Sequence, residues 1–186
     1  MIVAFYVLSL AGAFGAFDVF YYHIYRARLW TRPQSVYENM THAIRALLFA
    51  VFFILIVHVE ARGSWWLLYP AICAVEMTNS FVDCALEKSS RLDLGGLDAG
   101  EYLLHVLLSI MMGAIVTAML MSTYPSYAEP SYIGLRTLDI PPIMIYGSYL
   151  GAVMAVGFFF FEGSGVLRML AKMKRTAPLT ASAPAR

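Results

Sequence analysis

Charge is scarce in this chain. Asp, Glu, Lys and Arg make up 13% of its residues against 60% apolar ones, and the mean hydropathy is +0.68. An average soluble domain carries about 25% charged residues, so composition excludes water as the main solvent and implies a bilayer. A formal net charge of +1 offers no basic field for phosphates, which excludes nucleic acid as a partner. Cysteine is nearly absent too: Cys73 and Cys84 fall on one helix-length run ~16 Å apart, too far to bridge, and read as small buried residues. No glycine-rich nucleotide loop, nucleophile elbow or paired-cysteine redox motif occurs.

What is present is a set of long apolar runs. Five segments, 2–24, 40–59, 65–85, 102–121 and 140–161, are long enough to cross about 30 Å of hydrocarbon. The expected fold is therefore all-α, a polytopic membrane bundle of five transmembrane helices over residues 1–167, with a basic, disordered cytoplasmic tail at 168–186. Arg26, Arg28, Arg32, Lys88, Arg91, Arg168, Lys172, Lys174 and Arg175 cluster after segments 1, 3 and 5, whereas the opposite side has only Arg62 and Arg136. The positive-inside rule then puts the N-terminus outside and the C-terminus in the cytoplasm, in a bacterial inner membrane. Segment 1 lacks a basic leader and is too long for a signal peptide, so it reads as retained. Trp65, Trp66, Tyr69, Tyr124, Tyr127 and Tyr132 fit an outer aromatic belt and Trp30 an inner one. The loop from Ser122 to Pro142, with Pro125, Pro130, Pro141, Pro142 and Asp139, reads as a connector rather than a lid.

Ionisable residues within the apolar runs carry the functional signal. Glu38/His42 and Glu101/His105 each open such a run, and a spacing of four puts carboxylate and imidazole on one helix face. An offset of 63 superposes the two pairs and an offset of 60 lays His23 on Asp83, which makes the first four segments a pseudo-repeat of two helical hairpins. Helix rise puts His23, Glu38, Asp83 and Glu101 near the cytoplasmic boundary and Asp18, His42, Glu76 and His105 one to two turns deeper. Five carboxylates and three imidazoles are enough for two metal ions. In regular α-helix, however, Asp18 and His23 are about 140° apart, so a single ion is not expected to bind both, and His58, about 160° from His42, is left out.

Structural roles compete for the same residues. Ser35 with Glu38, and Asp98 with Glu101, match capping-box spacing, and His23 and Asp83 are close enough to the interface to be solvated. Glu76 lies near the middle of segment 3, where an unpaired acid costs roughly 2.5 to 3.5 kcal/mol on insertion scales. Arg45, three residues after His42, is the main alternative to metal as its partner. Gly12 with Ala16, Ala11 with Gly15, and Gly147, Gly151 and Ala155 have the spacing that lets helices approach closely.

The runs 22–26 (YHIYR), 38–45 (ENMTHAIR) and 101–105 (EYLLH) resemble a group of small bacterial integral membrane proteins of unassigned function. That resemblance covers most of segments 1 to 4 and implies no particular activity. In ligand inventory alone the chain is similar to four-helix di-iron carboxylate proteins, although their Glu-x-x-His spacing is one residue shorter.

Three functions follow as expectations. The first is a di-metal oxidoreductase using iron, or else manganese or zinc, on a lipid or quinone, with Asp18, His23, Glu38, His42, Glu76, Asp83, Glu101 and His105 as ligands. Twelve tyrosines and eleven methionines would furnish an electron path or an apolar pocket, and an electron-transfer protein would be the partner. The second is a zinc-dependent membrane hydrolase built on His23, His42 and His105. The third is a haem protein with His42 and His105 as axial ligands, or a metal-free accessory subunit of an electron-transfer complex. The ligand assignment predicts that His42→Ala or His105→Ala loses metal, by elemental analysis, while still inserting in the membrane; unchanged metal content in both variants would refute it.

Overall fold

Each apolar run forms a helix, which pairs its backbone N–H and C=O groups within the segment itself. The computed structural model describes residues 1–136 and 140–176. Helix α1 (Ile2–Phe17) continues into a π-helical stretch, Asp18–Arg26. Then come α2 (Val36–His58), strand β1 (Val59–Arg62), α3 (Leu68–Ser90), α4 (Ala99–Thr123), strand β2 (Tyr132–Leu135) and α5 (Pro142–Thr176). Four stretches are long and apolar enough to cross a membrane: Ile2–Arg26, Pro33–His58, Ala99–Ala128 and Pro142–Arg175. The fifth expected crossing is helical, but α3 is interrupted by Glu76, Asn79, Ser80, Asp83 and Glu87 and falls outside that group.

Helix α2 is central, packing most extensively on α5 and also on α3 and α1, while α1 lies along α4. The main apolar core fills the half of the bundle near β1, where Phe5, Leu8, Phe52, Phe53, Ile56, Tyr69, Ile115 and Met119 interlock. Glycines on α5 permit this. A Cβ at Gly147 would meet the Phe5 ring at 2.8 Å and one at Gly151 the Phe53 ring at 2.6 Å, so both have the packing role their spacing suggests. Gly12 and Gly15 of α1 behave differently: around them a Cβ would meet nothing within 4 Å. They open a space instead of closing one.

Several other expectations change. Strands β1 and β2 pair antiparallel, Val59 with Leu135 through Arg62 with Tyr132, so part of the 122–142 loop is clamped against the α2–α3 connection. Four-residue strands are too short to leave a periodic signal. At the turn after β1, Gly63 has φ +55° and lies against Ser131, a position only glycine fits. Tyr69 belongs to no interfacial belt: it is buried and donates a hydrogen bond to the Val59 carbonyl (3.0 Å). Cys73 is buried but Cys84 is exposed. Helix α5 runs to Thr176, so Arg168, Lys172, Lys174 and Arg175 are helical and not part of a tail. Asp139 and the expected disorder over 177–186 lie outside the described residues.

The two glycine environments predict opposite responses. Gly151→Leu must displace the Phe53 ring and should cost about 1–3 kcal/mol in detergent unfolding. Gly12→Leu should leave the melting temperature nearly unchanged.

Candidate metal centre

Polar groups from α1, α2, α3 and α4 meet in the half of the bundle opposite the β-pair. A π-helical turn starts the assembly. Its i to i+5 hydrogen bonding stacks residues five apart, where an α-helix would splay them. His23 Nε2 thereby comes to 3.4 Å from Asp18 Oδ2, which corrects the separation expected from α-helical geometry.

The imidazole of His23 lies between two groups of side chains. Its Nδ1 is 3.0 Å from Nδ1 of His42, with the two rings stacked at 4.4 Å. Its Nε2 faces Asp18 Oδ2 and, at 3.1 Å, Glu101 Oε1. His105 Nε2 is 3.1 Å from the same Asp18 oxygen. Asp18, His23, Glu101 and His105 thus each offer a donor atom within 4.8 Å of the others, and so do His23, Glu38 and His42. These contacts divide the donors sideways, between a group on the π-helical stretch and α4 and a group on that stretch and α2, and not by depth into the two layers expected.

Each outer imidazole is backed by a carboxylate. Nε2 of His42 lies 3.2 Å from Asp83 Oδ1, and Nδ1 of His105 lies 3.0 Å from Glu87 Oε1. Such a carboxylate fixes ring orientation. Asp83 therefore stands behind His42, outside both donor groups. Glu76 stands outside both as well: Arg45 Nε donates to Glu76 Oε1 (3.1 Å), Ser80 donates to the same oxygen, and Arg45 Nη1 donates to Asp83 Oδ2 (2.9 Å). Thr41 also donates to Asp83.

Arg91 is the largest departure from the sequence reading. Counted there as an interfacial charge, it is only 2% exposed and fills the gap between the two glutamates. Its Nη2 donates to Glu38 Oε1 at 2.8 Å and to Glu101 Oε1 at 2.6 Å, and Ser90 adds a donor to Glu38. Burial disfavours the Arg91 charge, but the two carboxylates more than offset it and hold its pKa above the ordinary arginine value. Neither glutamate serves as a capping-box partner. Ser35 makes no cap bond, whereas Asp98 caps α4 by accepting from Gly100 N (2.9 Å). His23 and Asp83, expected to be solvated, are each 2% exposed. His58 sits apart, bonded to Ser148 (2.7 Å) and stacked on Tyr149.

A partly open cavity of about 440 Å³ adjoins this centre. Asp18, His42, Arg45, Glu76, Asp83, Glu87 and His105 line one end, and Gly12, Gly15, Phe49, Phe53, Leu108, Met112 and Met154 line the rest. Glu162 of α5 lines it too, just past the limit of the apolar run read as segment 5. Glu87 was legible in principle, since it extends the Glu76, Ser80, Asp83 stripe by one further turn.

No family model, curated protein or solved structure matches the chain. Removing Arg91 leaves two buried carboxylates without their cation. Arg91→Met should therefore cost about 3–5 kcal/mol in unfolding free energy in detergent; a loss below about 1 kcal/mol would mean that solvent reaches the pair.

Proposed function

We propose that the protein is an integral membrane metalloprotein, a di-metal oxidoreductase acting on a lipid or quinone that enters the cavity from the bilayer. One ion would be held among Asp18, His23, Glu101 and His105, and the other among His23, Glu38 and His42, with His23 common to both groups. The observation that carries this reading is the spacing around His23 Nε2. It has no hydrogen-bond partner of acceptable geometry, although two carboxylate oxygens stand 3.1 and 3.4 Å away. Atoms bound at about 2.1 Å around one ion are separated by roughly 3.0–3.4 Å. The same spacing recurs between His23 and His42, and between His105 and Asp18.

Mixed oxygen and imidazole donors favour iron, with manganese and zinc next. Iron, when bound, supplies one-electron chemistry with oxygen as oxidant. The chain's own residues hold and orient: Arg91 fixes Glu38 and Glu101, Asp83 and Glu87 set the His42 and His105 rings, and the apolar wall keeps water out. Four long apolar helices and the basic residues after segments 1, 3 and 5 support an inner-membrane position with a cytoplasmic C-terminus. Haem fits less well, because both ring nitrogens of His42 and of His105 already face side chains. A three-histidine zinc site also fits less well, since His42 and His105 fall in different donor groups around His23.

One observation favours a second reading. Asp83, His42, His23, Asp18, His105 and Glu87 form a chain of contacts, each 3.0–3.4 Å long, that begins and ends at the cavity. Without metal it would serve as a proton relay in an accessory subunit. Elemental analysis after loading with ferrous iron separates the two. Two irons per chain, with at most one in His23→Ala, is the expected result; no retained iron, manganese or zinc would leave the relay.

A further inference from the structure

The cavity runs along the helices, with one end polar and the other apolar. On α2 its lining extends from His42 to Phe53, ~16 Å at ~1.5 Å per residue; the ionisable residues on α2, α4 and α5 lie toward the metal-centre side, and α3 lines the cavity with Glu76, Ser80, Asp83, Cys84 and Glu87. Its apolar wall includes Gly12 and Gly15, where missing side chains leave room that no neighbour fills.

The polar end has too few hydrogen-bond donors. Asp83 is met by Arg45 and Thr41, Glu76 by Arg45 and Ser80, Asp18 by His105, and Glu87 by contact with His105. Yet Asp18 Oδ1 and Glu76 Oε2 are buried with no partner. Glu162 is 6% exposed, lines the cavity and has no hydrogen bond or ion pair among the described residues. Unmet acceptors in an apolar setting are costly, and a donor that reaches them recovers that cost. An anionic head would meet these acids with like charge. A cationic head finds most of the acids already matched by arginine or histidine. An uncharged hydroxyl meets what is missing.

We propose that this cavity is a binding site for an amphiphile with an apolar chain and an uncharged hydroxyl head, a quinol or long-chain alcohol, with Glu162 as its specificity-determining acceptor and Gly12 and Gly15 making room for the chain. As a statement about substrate it rests on the proposed function; as a statement about binding it needs no metal. The test therefore uses chelator-treated full-length protein in detergent, with bound molecules counted by native mass spectrometry. The probes share one decyl chain and carry a hydroquinone, a carboxylate or an ammonium head.

One decyl-hydroquinone per chain should bind, at least tenfold more tightly than the decyl carboxylate or the ammonium probe. Glu162→Leu should weaken it about tenfold, the effect of one lost hydrogen bond. Gly12→Leu, which extends a side chain into the cavity from a position where a Cβ meets nothing within 4 Å, should abolish binding, and Gly15→Leu provides a second filling variant if the first fails to fold. Equal or tighter binding of the carboxylate or ammonium probe, or undiminished hydroquinone binding in a folded filling variant, would overturn the proposal. Failure of iron loading with hydroquinone binding intact would remove the metal reading and leave this one standing.

Discussion

An ionised group among apolar helices has to be met by an opposite charge or by donors, and this constraint shapes half of the molecule. Asp18, Glu38, Glu76, Asp83, Glu87 and Glu101 meet Arg45, Arg91 and three imidazoles within one bundle end. The guanidinium of Arg91 is the keystone: it joins α2 to α4 through Glu38 and Glu101 from its place just after α3. A planar fork with several donors can serve two carboxylates at once, which a lysine ammonium at the same place would do with less directional control. An ion pair this deep costs heavily when half of it is removed and adds little net stability when complete. Its contribution is to fix where the glutamates point.

The π-helical turn does for histidine what Arg91 does for the acids. Lengthening the helical repeat across Asp18–Arg26 turns His23 inward above Asp18 and places its two nitrogens against different neighbours. Such turns are less favourable than α-helix and occur frequently at functional sites. Farther along the same helix, Gly12 and Gly15 leave the cavity open beside α2 and α5. One helix thus supplies both Asp18 and His23 to the polar centre and the room next to it.

Much of this was legible in the chain. Apolar run length located all five helices, and the matched Glu-x-x-x-His pairs identified Glu38, His42, Glu101 and His105 as residues that converge. Periodicity assumes a uniform 3.6-residue turn, so the meeting of Asp18 with His23 was hidden by a local change in that repeat. Arg91 was invisible because a basic residue just past a helix end looks like a topological signal, and nothing in sequence spacing tells which way its side chain turns. Glu162 lay beyond the boundary drawn for segment 5, where a terminal acid resembles an interfacial one. The β-pair involved too few residues to leave a pattern.

The central claim is that the His23 ring separates two cation sites within one polar centre. Anomalous X-ray diffraction at the iron edge, from crystals of the iron-loaded protein, tests it most directly. The account predicts two peaks, one on each side of that ring: one among Asp18, Glu101 and His105, the other between Glu38 and His42. Iron bound elsewhere, or no anomalous peak beside His23 in fully loaded protein, would contradict it.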